Sequence, residues 1–279
     1  MLREVFDEDA ELYDRARPGY PPALVEALID RAGLSPESRV LEVGPGTGQL
    51  TVPLARLGCR ITAVELGPAL AAVARRNLRP FPNARVEVSA FEEWTLPEEP
   101  FDLVVSATAF HWVDPEVRVP KATAALAPGG TLALITTEHV AGGNWDQDFF
   151  DQVQRCYERW DPATPPGLRL PDEATLAPGT GELDHSEQLD AVQVQRFTQE
   201  ITYSAPEYLD LLRTFSGHRA LPSTALTALL DCIRSLIDNQ YGGSVTKRTL
   251  HELITARRRT TGALRGPVGH TGGGSDTAP

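Results

Sequence analysis

Within Val40-Leu-Glu-Val-Gly-Pro-Gly-Thr-Gly48, glycines alternate at 44, 46 and 48, and an acid, Glu42, stands just before them. Alternate glycines let a chain turn sharply at a strand end and lie against a ligand with no side chain between. The N–H groups opening the next helix can then meet a carboxylate, and Thr47 sits within reach of the same turn. Glu42 has two compatible readings, as an acceptor for backbone donors of the turn and as a partner for a ligand's amino group. Farther on, Glu65-Leu66 closes a second apolar run. A carboxylate there can accept both hydroxyls of a ribose, or it can merely cap the next helix.

A third group closes the next run at Ser89-Ala90-Phe91-Glu92. Phe91 offers a face to a flat base and Glu92 an acceptor for an exocyclic amine, against the plainer reading of Glu92 and Glu93 as solvated charges. A fourth run ends at Ser106-Ala107, and His111-Trp112 follows it. His111 is a candidate general base, with an ordinary pKa near ~6.5, or a histidine that only shapes a pocket; Trp112 reads as a wall. Arg17 can clamp a carboxylate through its planar donors or pair locally with Asp14 or Glu11. His218 and Arg219 divide the same way between pocket and helix capping.

These residues need elements to position them. Leu24, Val25, Leu28 and Ile29 recur at helical spacing between Pro21-Pro22 and Gly33, which predicts a helix over 21–32. Apolar runs at 39–43, 60–64, 85–88, 101–106 and 131–136 predict strands, alternating with helical stretches at 50–57, 69–77 and 117–127. Nearly continuous apolar strands imply a sheet covered on both faces, and the alternation implies an α/β fold with a mostly parallel sheet. Three ligand-binding elements at successive strand ends then share one crevice. From Val140 to Glu187 the rhythm breaks into a segment rich in Pro, Gly, Asp and aromatics, with one helix near 146–159 and Trp145 in a position to roof a pocket. Later come a strand near 192–203, helices near 206–215 and 223–239, and a strand near 245–257, the two strands completing one sheet edge.

The organisation expected is one domain over 1–265: N-terminal lid helices 1–33, a cofactor-binding core 34–139, an insertion 140–188 and a C-terminal part 189–265, with a disordered Gly-rich tail 266–279. A formal net charge of -12 argues against broad contact with a phosphate backbone and favours a small-molecule partner. The short run Arg257-Arg258-Arg259 reads as a solvated face. Cys59, Cys156 and Cys232 form no metal-binding spacing, which predicts reduced, packed thiols and no metal. The acidic N-terminus has no apolar run, so neither a signal peptide nor a membrane span is expected and a cytoplasmic monomer or homodimer is the default.

The acid-x-Gly-x-Gly-x-Gly turn, Glu65, Phe91-Glu92 and Leu126-Ala-Pro-Gly-Gly-Thr-Leu132, taken together over about residues 39–136, resemble the class I S-adenosylmethionine (SAM)-dependent methyltransferases. Tyr13-Asp-Arg-Ala-Arg-Pro-Gly-Tyr-Pro21, Ala107-Thr-Ala-Phe-His-Trp-Val-Asp114 and Ser216-Gly-His-Arg-Ala-Leu-Pro222 are similar to the branch that includes trans-aconitate methyltransferase and its bacterial relatives. The resemblance implies a Rossmann-like seven-stranded fold with an insertion after the fifth strand, SAM as cofactor and S-adenosylhomocysteine as its product. It implies a cofactor site at Glu42, Gly44, Gly46, Thr47, Gly48, Glu65, Leu66, Ala90, Phe91, Glu92 and Ser106, with Ser106 beside the sulfonium. An N-terminal segment folded over the cofactor would bring Tyr13, Arg17 and Tyr20 near its carboxylate or the acceptor, with Trp112, Trp145 and His218 in the pocket. Acceptor and methylated atom stay open between a carboxylate, as that branch suggests, and a hydroxyl or carbon centre. Two other functions stay open: a SAM-binding sensor without catalysis, and a nicotinamide enzyme, whose Gly-x-Gly-x-x-Gly spacing is missing because Gln49 stands at the third glycine.

Overall fold

In the computed structural model, residues 7–141 and 144–260 are described, the side chains of 144–147 excepted, so the tail expected over 266–279 lies outside the described residues. Apolar alternation becomes a seven-stranded sheet ordered β3-β2-β1-β4-β5-β7-β6. Its strands are β1 (Arg39–Val43), β2 (Arg60–Glu65), β3 (Ala84–Val88), β4 (Phe101–Ala107), β5 (Leu126–His139), β6 (Leu189–Ser204) and β7 (Ser244–Arg258). β1, β2, β3, β4 and β5 pair in parallel, with Val40 beside both Ile61 and Leu103. β7 runs antiparallel between β5 and β6.

Central strands are buried on both faces because helices cover both sides. One apolar layer joins Leu24 and Leu28 of α2 (Pro22–Ala32) and Leu54 of α3 (Thr51–Ala55) to Val40, Leu103 and Ile135 of the sheet. The opposite layer sets Val119 and Ala122 of α5 (Pro115–Ala125) against Leu41, Val104 and Leu132. α1 (Ala10–Ala16) packs through Ala10 on Leu70 and Val73 of α4 (Pro68–Asn77). Asp9 caps α1 by accepting from Leu12 N at 2.9 Å, and Asp7 accepts from Leu70 N at 2.8 Å, so the N-terminal segment is tied down at the mouth of the sheet.

A third apolar cluster stands apart from the sheet's two main layers. It is built by α6 (Asn144–Trp160), α8 (Ala205–Arg213) and α10 (Ser223–Gln240), with Phe149, Leu209, Leu229 and Ile233 fully buried. Between these helices lie the one-turn helices α7 (Gly181–Asp184) and α9 (Ser216–Arg219). Here the expectation of reduced thiols fails: Cys156 and Cys232 form a disulfide, and only Cys59 is free. The two cysteines are 76 residues apart, and packing of α6 on α10 brings their Cα atoms to 5.9 Å. Spacing along the chain carries no sign of that, since the pairing is set by helix packing.

β5 departs from the sequence reading at both of its ends. β5 begins at Leu126 rather than Thr131, because α5 starts two residues early on its Asp114 cap and Pro115 and is complete by Ala125. It also runs on through Thr137, Glu138 and His139, polar residues that pair with β7 well past the end of β4. That overhang becomes a wall of the cavity described below. No helix among the described residues is long and apolar enough to cross a membrane.

Gly130 lies where β5 passes β4, and a Cβ there would meet Ala127 O at 2.9 Å, Phe101 O at 3.0 Å and Asp102 O at 3.2 Å. All three are main-chain atoms in or beside the sheet, so they cannot swing aside. Gly130→Ala is therefore expected to cost about 1–3 kcal/mol, read as a lower urea midpoint with an unchanged m-value.

Candidate active site

The carboxyl ends of the parallel strands open into a cavity of about 550 Å³. Its sheet-side wall is made where β1, β2 and β4 stop. β1 ends in Gly44 and Gly46, both in the left-handed region at φ 70° and 60°. A Cβ on Gly44 would come within 2.5 Å of the Ala109 Cβ, and one on Gly46 within 3.3 Å of the Tyr13 ring. These glycines therefore do what the spacing predicts, turning the chain and leaving bare backbone at the cavity. Thr47 and Gly48 stand behind this surface. The Thr47 hydroxyl accepts from Gln49 Nε2 at 2.7 Å and its carbonyl from Asn77 Nδ2 at 3.0 Å, so Thr47 fixes the turn from within.

The two acids differ. Glu65 Oε1 accepts from Gly67 N at 2.9 Å and Oε2 from Gly46 N at 3.0 Å, which couples the glycine turn to the N-cap of α4. Each oxygen keeps a lone pair for a ligand hydroxyl. The helix-cap and cofactor readings of Glu65 therefore coexist in one side chain. Glu42 is buried, and its Oε2 has no hydrogen-bond partner among the described residues. It faces a smaller cavity of about 90 Å³ that shares Tyr13, Arg17, Gly44 and Gly46 with the large one. Of its two compatible readings, that of an acceptor for the turn's backbone donors finds no such donor on Oε2 among the described residues. Burial pushes both Glu42 and Glu65 up to about 7.

Leu66, Ala90, Phe91 and Glu92 line the large cavity. Phe91 is buried, with the Lys121 ammonium 5.5 Å from its ring centroid, and Lys121 also donates to Glu92 O at 2.8 Å. Glu92 Oε1 accepts from Asp114 N at 3.2 Å. Ser106 differs from its expected place: it is buried inside the sheet, donates to Val43 O at 2.8 Å and ties β4 to β1. The cavity wall is instead made by Ala107, Thr108 and Ala109. Thr108 is β-branched yet sits at φ 54°, held by its N–H to Ile135 O at 2.8 Å, its hydroxyl to Ala107 O at 2.8 Å and a hydroxyl contact with Tyr20 at 3.2 Å. Such strain persists only where the surroundings over-determine it, and it clusters at functional sites.

Tyr13 and Arg17 reach the cavity from the N-terminal segment, while Tyr20 lines the smaller one beside Thr108. Arg17 is not a surface pair: Asp14 and Glu11 both bind Arg76 instead. Its guanidinium donates to Thr214 O at 3.0 Å and lies 4.5 Å from the Phe215 centroid and 5.1 Å from that of Tyr13. His111 and Trp112 line the opposite wall, with ring centroids 4.7 Å apart. The His111 pKa is lowered, by desolvation first and by the Arg118 cation second, and its ring nitrogens have no hydrogen-bond partner among the described residues. His218 is a cavity residue rather than a helix cap: its Nε2 meets the Tyr157 hydroxyl at 2.9 Å, and burial lowers its pKa to about 4. Arg219 turns away to Glu8. Trp145 lies in α6, but its side chain is outside the described residues.

Several cavity residues carry no strand-end motif: Thr137 and His139 of β5, Lys247 and Thr249 of β7, Tyr157 of α6 and Tyr208 of α8. A period of two was their available signal, since Thr137 and His139, and likewise Lys247, Thr249 and His251, share one face of a strand. The large cavity thus carries Glu65, Glu92 and Lys247, with Glu42 in the smaller cavity beside it and Arg17 bordering both. SAM fits the glycine-turn side on two observations: the partnerless Glu42 oxygen suits an ammonium, and the bare Gly44 and Gly46 backbone leaves room beside it. No cluster of metal-ligating side chains occurs among the described residues.

A buried acid with a raised pKa makes the folded chain bind more protons than the unfolded one between about 4.5 and about 7, so stability falls as pH rises through that window. Glu42→Gln removes one such group. The variant is expected to match the parent at pH 5 and to be more stable at pH 8 by on the order of 2 kcal/mol, measured as urea midpoints at the two pH values.

A methyltransferase-domain family model matches residues 40–130. An uncharacterized methyltransferase of Mycobacterium tuberculosis is 31% identical over 227 residues, covering 81% of this chain and 82% of its own length. The trans-aconitate 2-methyltransferase of Variovorax paradoxus is 34% identical over 124 residues, 43% of this chain and 44% of its own. Among solved structures, the YcgJ protein of Bacillus subtilis superposes with a TM-score of 0.54 at 19% identity, covering 85% of this chain and 98% of that one. Sequence and fold together place this chain in the methyltransferase family, with the Rossmann-like class I fold.

Proposed function

We propose that the protein transfers a methyl group from SAM to a small organic acceptor bound between Trp112 and the α6–α8 cap. The observation that carries this is the buried, partnerless Glu42 oxygen beside the bare Gly44–Gly46 turn, within a family of methyltransferases. When bound, SAM supplies a methyl group on a sulfonium, whose C–S electron pair returns to sulfur as the acceptor's lone pair forms the new bond. Glu42 holds the amino group, Glu65 the ribose hydroxyls, and Ala90, Phe91 and Glu92 the base. Tyr13, over the Gly46 backbone, closes the cofactor side.

Alignment in a sheltered cavity supplies much of the acceleration. The strained Thr108 and the neighbouring Ala109 set the floor on which the reacting atoms meet. His111 takes the proton of a hydroxyl or amine acceptor: its lowered pKa keeps the imidazole neutral at pH 7, and its nitrogens face the cavity free of protein partners among the described residues. Residues 1–33 act as the lid and 140–188 as the acceptor-side cap of a single domain. The same fold also occurs in the [4+2]-cyclase SpnF, at a TM-score of 0.54 and 16% identity, so the proposal rests on the site and the family rather than on the architecture.

Gly46→Val places a branched side chain at φ 60° against Tyr13. SAM affinity by calorimetry is expected to fall at least about 100-fold, roughly 2.7 kcal/mol, with an unchanged far-UV circular dichroism spectrum; near-parental affinity contradicts the cofactor assignment. His111→Ala is expected to lower kcat about 100-fold or more while leaving SAM affinity intact. The acid limb of the parent pH profile, at or below the ordinary histidine pKa, should vanish in the variant; an unchanged profile removes His111 as the base.

A further inference from the structure

Lys247 is the cation of the cavity that the cofactor does not account for, whereas Arg17 also borders the glycine turn. Lys247 lines the large cavity but not the smaller one at Glu42, and it meets no carboxylate within ion-pair distance among the described residues. Arg17 has no ion pair there either, and its Nε is a buried donor without a partner. Both cations sit on Phe215, Arg17 at 4.5 Å and Lys247 at 4.9 Å from the ring centroid. Burial first, and the Lys247 charge after it, lowers the pKa of the cavity imidazole His139; that of His218 is lowered by burial, against Asp161 and with Lys247 and Arg17. Two positive charges thus share one sheltered chamber whose other walls, Tyr157, Tyr208, Leu212 and Phe215, are aromatic or apolar. Both cations are half-buried, and a charge held where much of the water is excluded gains from a bound counter-ion, so the ligand group this chamber suits is an anion.

Strand register says where that anion lies relative to the reacting atoms. β4 ends at Ala107, level with Ile135 of β5 and through it with Leu253 of β7. Lys247 stands six residues farther along β7, roughly 20 Å along the strand, on the overhang that pairs with β6 at Ile201. A lysine side chain covers only part of that distance, so a group bound on its ammonium stands apart from the floor at Thr108 and Ala109.

We propose that the acceptor is an organic acid whose carboxylate docks on Lys247 as an anchor, with its apolar body against Phe215, Tyr208 and Leu212, and that it is methylated at a different atom. This rests on the methyltransferase reading for the position of the reacting atoms, and it separates the chain from enzymes that esterify the bound carboxylate. The carboxylate keeps its charge through the reaction; the proton released comes from the accepting hydroxyl or amine and passes to His111.

The test uses the full chain and a graded set of hydroxyaryl acids, from hydroxybenzoate to hydroxyphenylbutyrate, each beside its carboxamide. Binding is measured by calorimetry with and without saturating S-adenosylhomocysteine. At least one acid is expected to bind at least tenfold more tightly than its amide. That preference should collapse in Lys247→Gln and return in Lys247→Arg, with S-adenosylhomocysteine affinity unchanged in both. Equal binding of every acid and amide, no binding by any acid, or a preference that survives in Lys247→Gln overturns the anchor. An alkali-labile methyl ester as product overturns it too. If S-adenosylhomocysteine does not bind while the Lys247-dependent preference is present, the methyltransferase reading fails and the anion site stands.

Discussion

The structure turns on a buried acid at the end of the first strand. Glu42 lies in β1, inside the sheet, with one oxygen lacking any donor among the described residues, and burial lifts its pKa to about 7. Its position in β1, flanked on both sides by parallel strands, sets it against the small cavity beside the glycine turn. The backbone at Gly44 and Gly46 must therefore stay bare, because a side chain at either place would close the space the acid faces. Glu65 then locks the turn by accepting from Gly46 N and Gly67 N, and Tyr13 covers it from the N-terminal segment. Strain at Thr108 belongs to the same arrangement, since its left-handed backbone carries the chain around the end of β4 beneath the reacting groups.

From this centre the cavity is polarised. Acids gather where the parallel strands end, Lys247 stands where β5 and β7 overhang them, and Arg17 borders both regions from the N-terminal segment. The third apolar cluster supplies the roof, and the Cys156–Cys232 disulfide ties two of its helices together one residue from Tyr157, which in turn holds His218. The cofactor end is thus built into the sheet, whereas the acceptor end is assembled from segments far apart in the chain. That division explains how one fold can keep its donor site and vary its acceptor.

The legible part of the sequence was the sheet-borne part. β1, β2, β3 and β4 announce themselves as apolar runs because they are buried on both faces, and each closes on a residue whose chemistry is visible locally: Glu42 before its glycines, Glu65 at a strand end, Phe91-Glu92 just beyond one. The overhang of β5 was invisible as a strand because Thr137, Glu138 and His139 are polar, and they are polar because they face a cavity or a neighbouring strand rather than the core. Ser106 misled for the opposite reason: a hydroxyl at a strand end looks available, yet it is spent on Val43 O inside the sheet. Lys247 and Tyr157 carry no motif, and only the antiparallel return of β7 and the packing of α6 bring them to the same chamber. The disulfide falls in the same class, since helix packing and not spacing creates it.

The most direct test of the central claim is proton release when SAM binds at pH 6, obtained by calorimetry in buffers of different ionisation enthalpy. At that pH a carboxyl with a pKa of about 7 is mostly protonated in the free protein, and it must ionise to hold the cofactor's ammonium. The expected result is net release of protons to the buffer in the parent chain, reduced in Glu42→Gln. Binding with no proton release, or with equal release in parent and variant, would contradict the role given to Glu42.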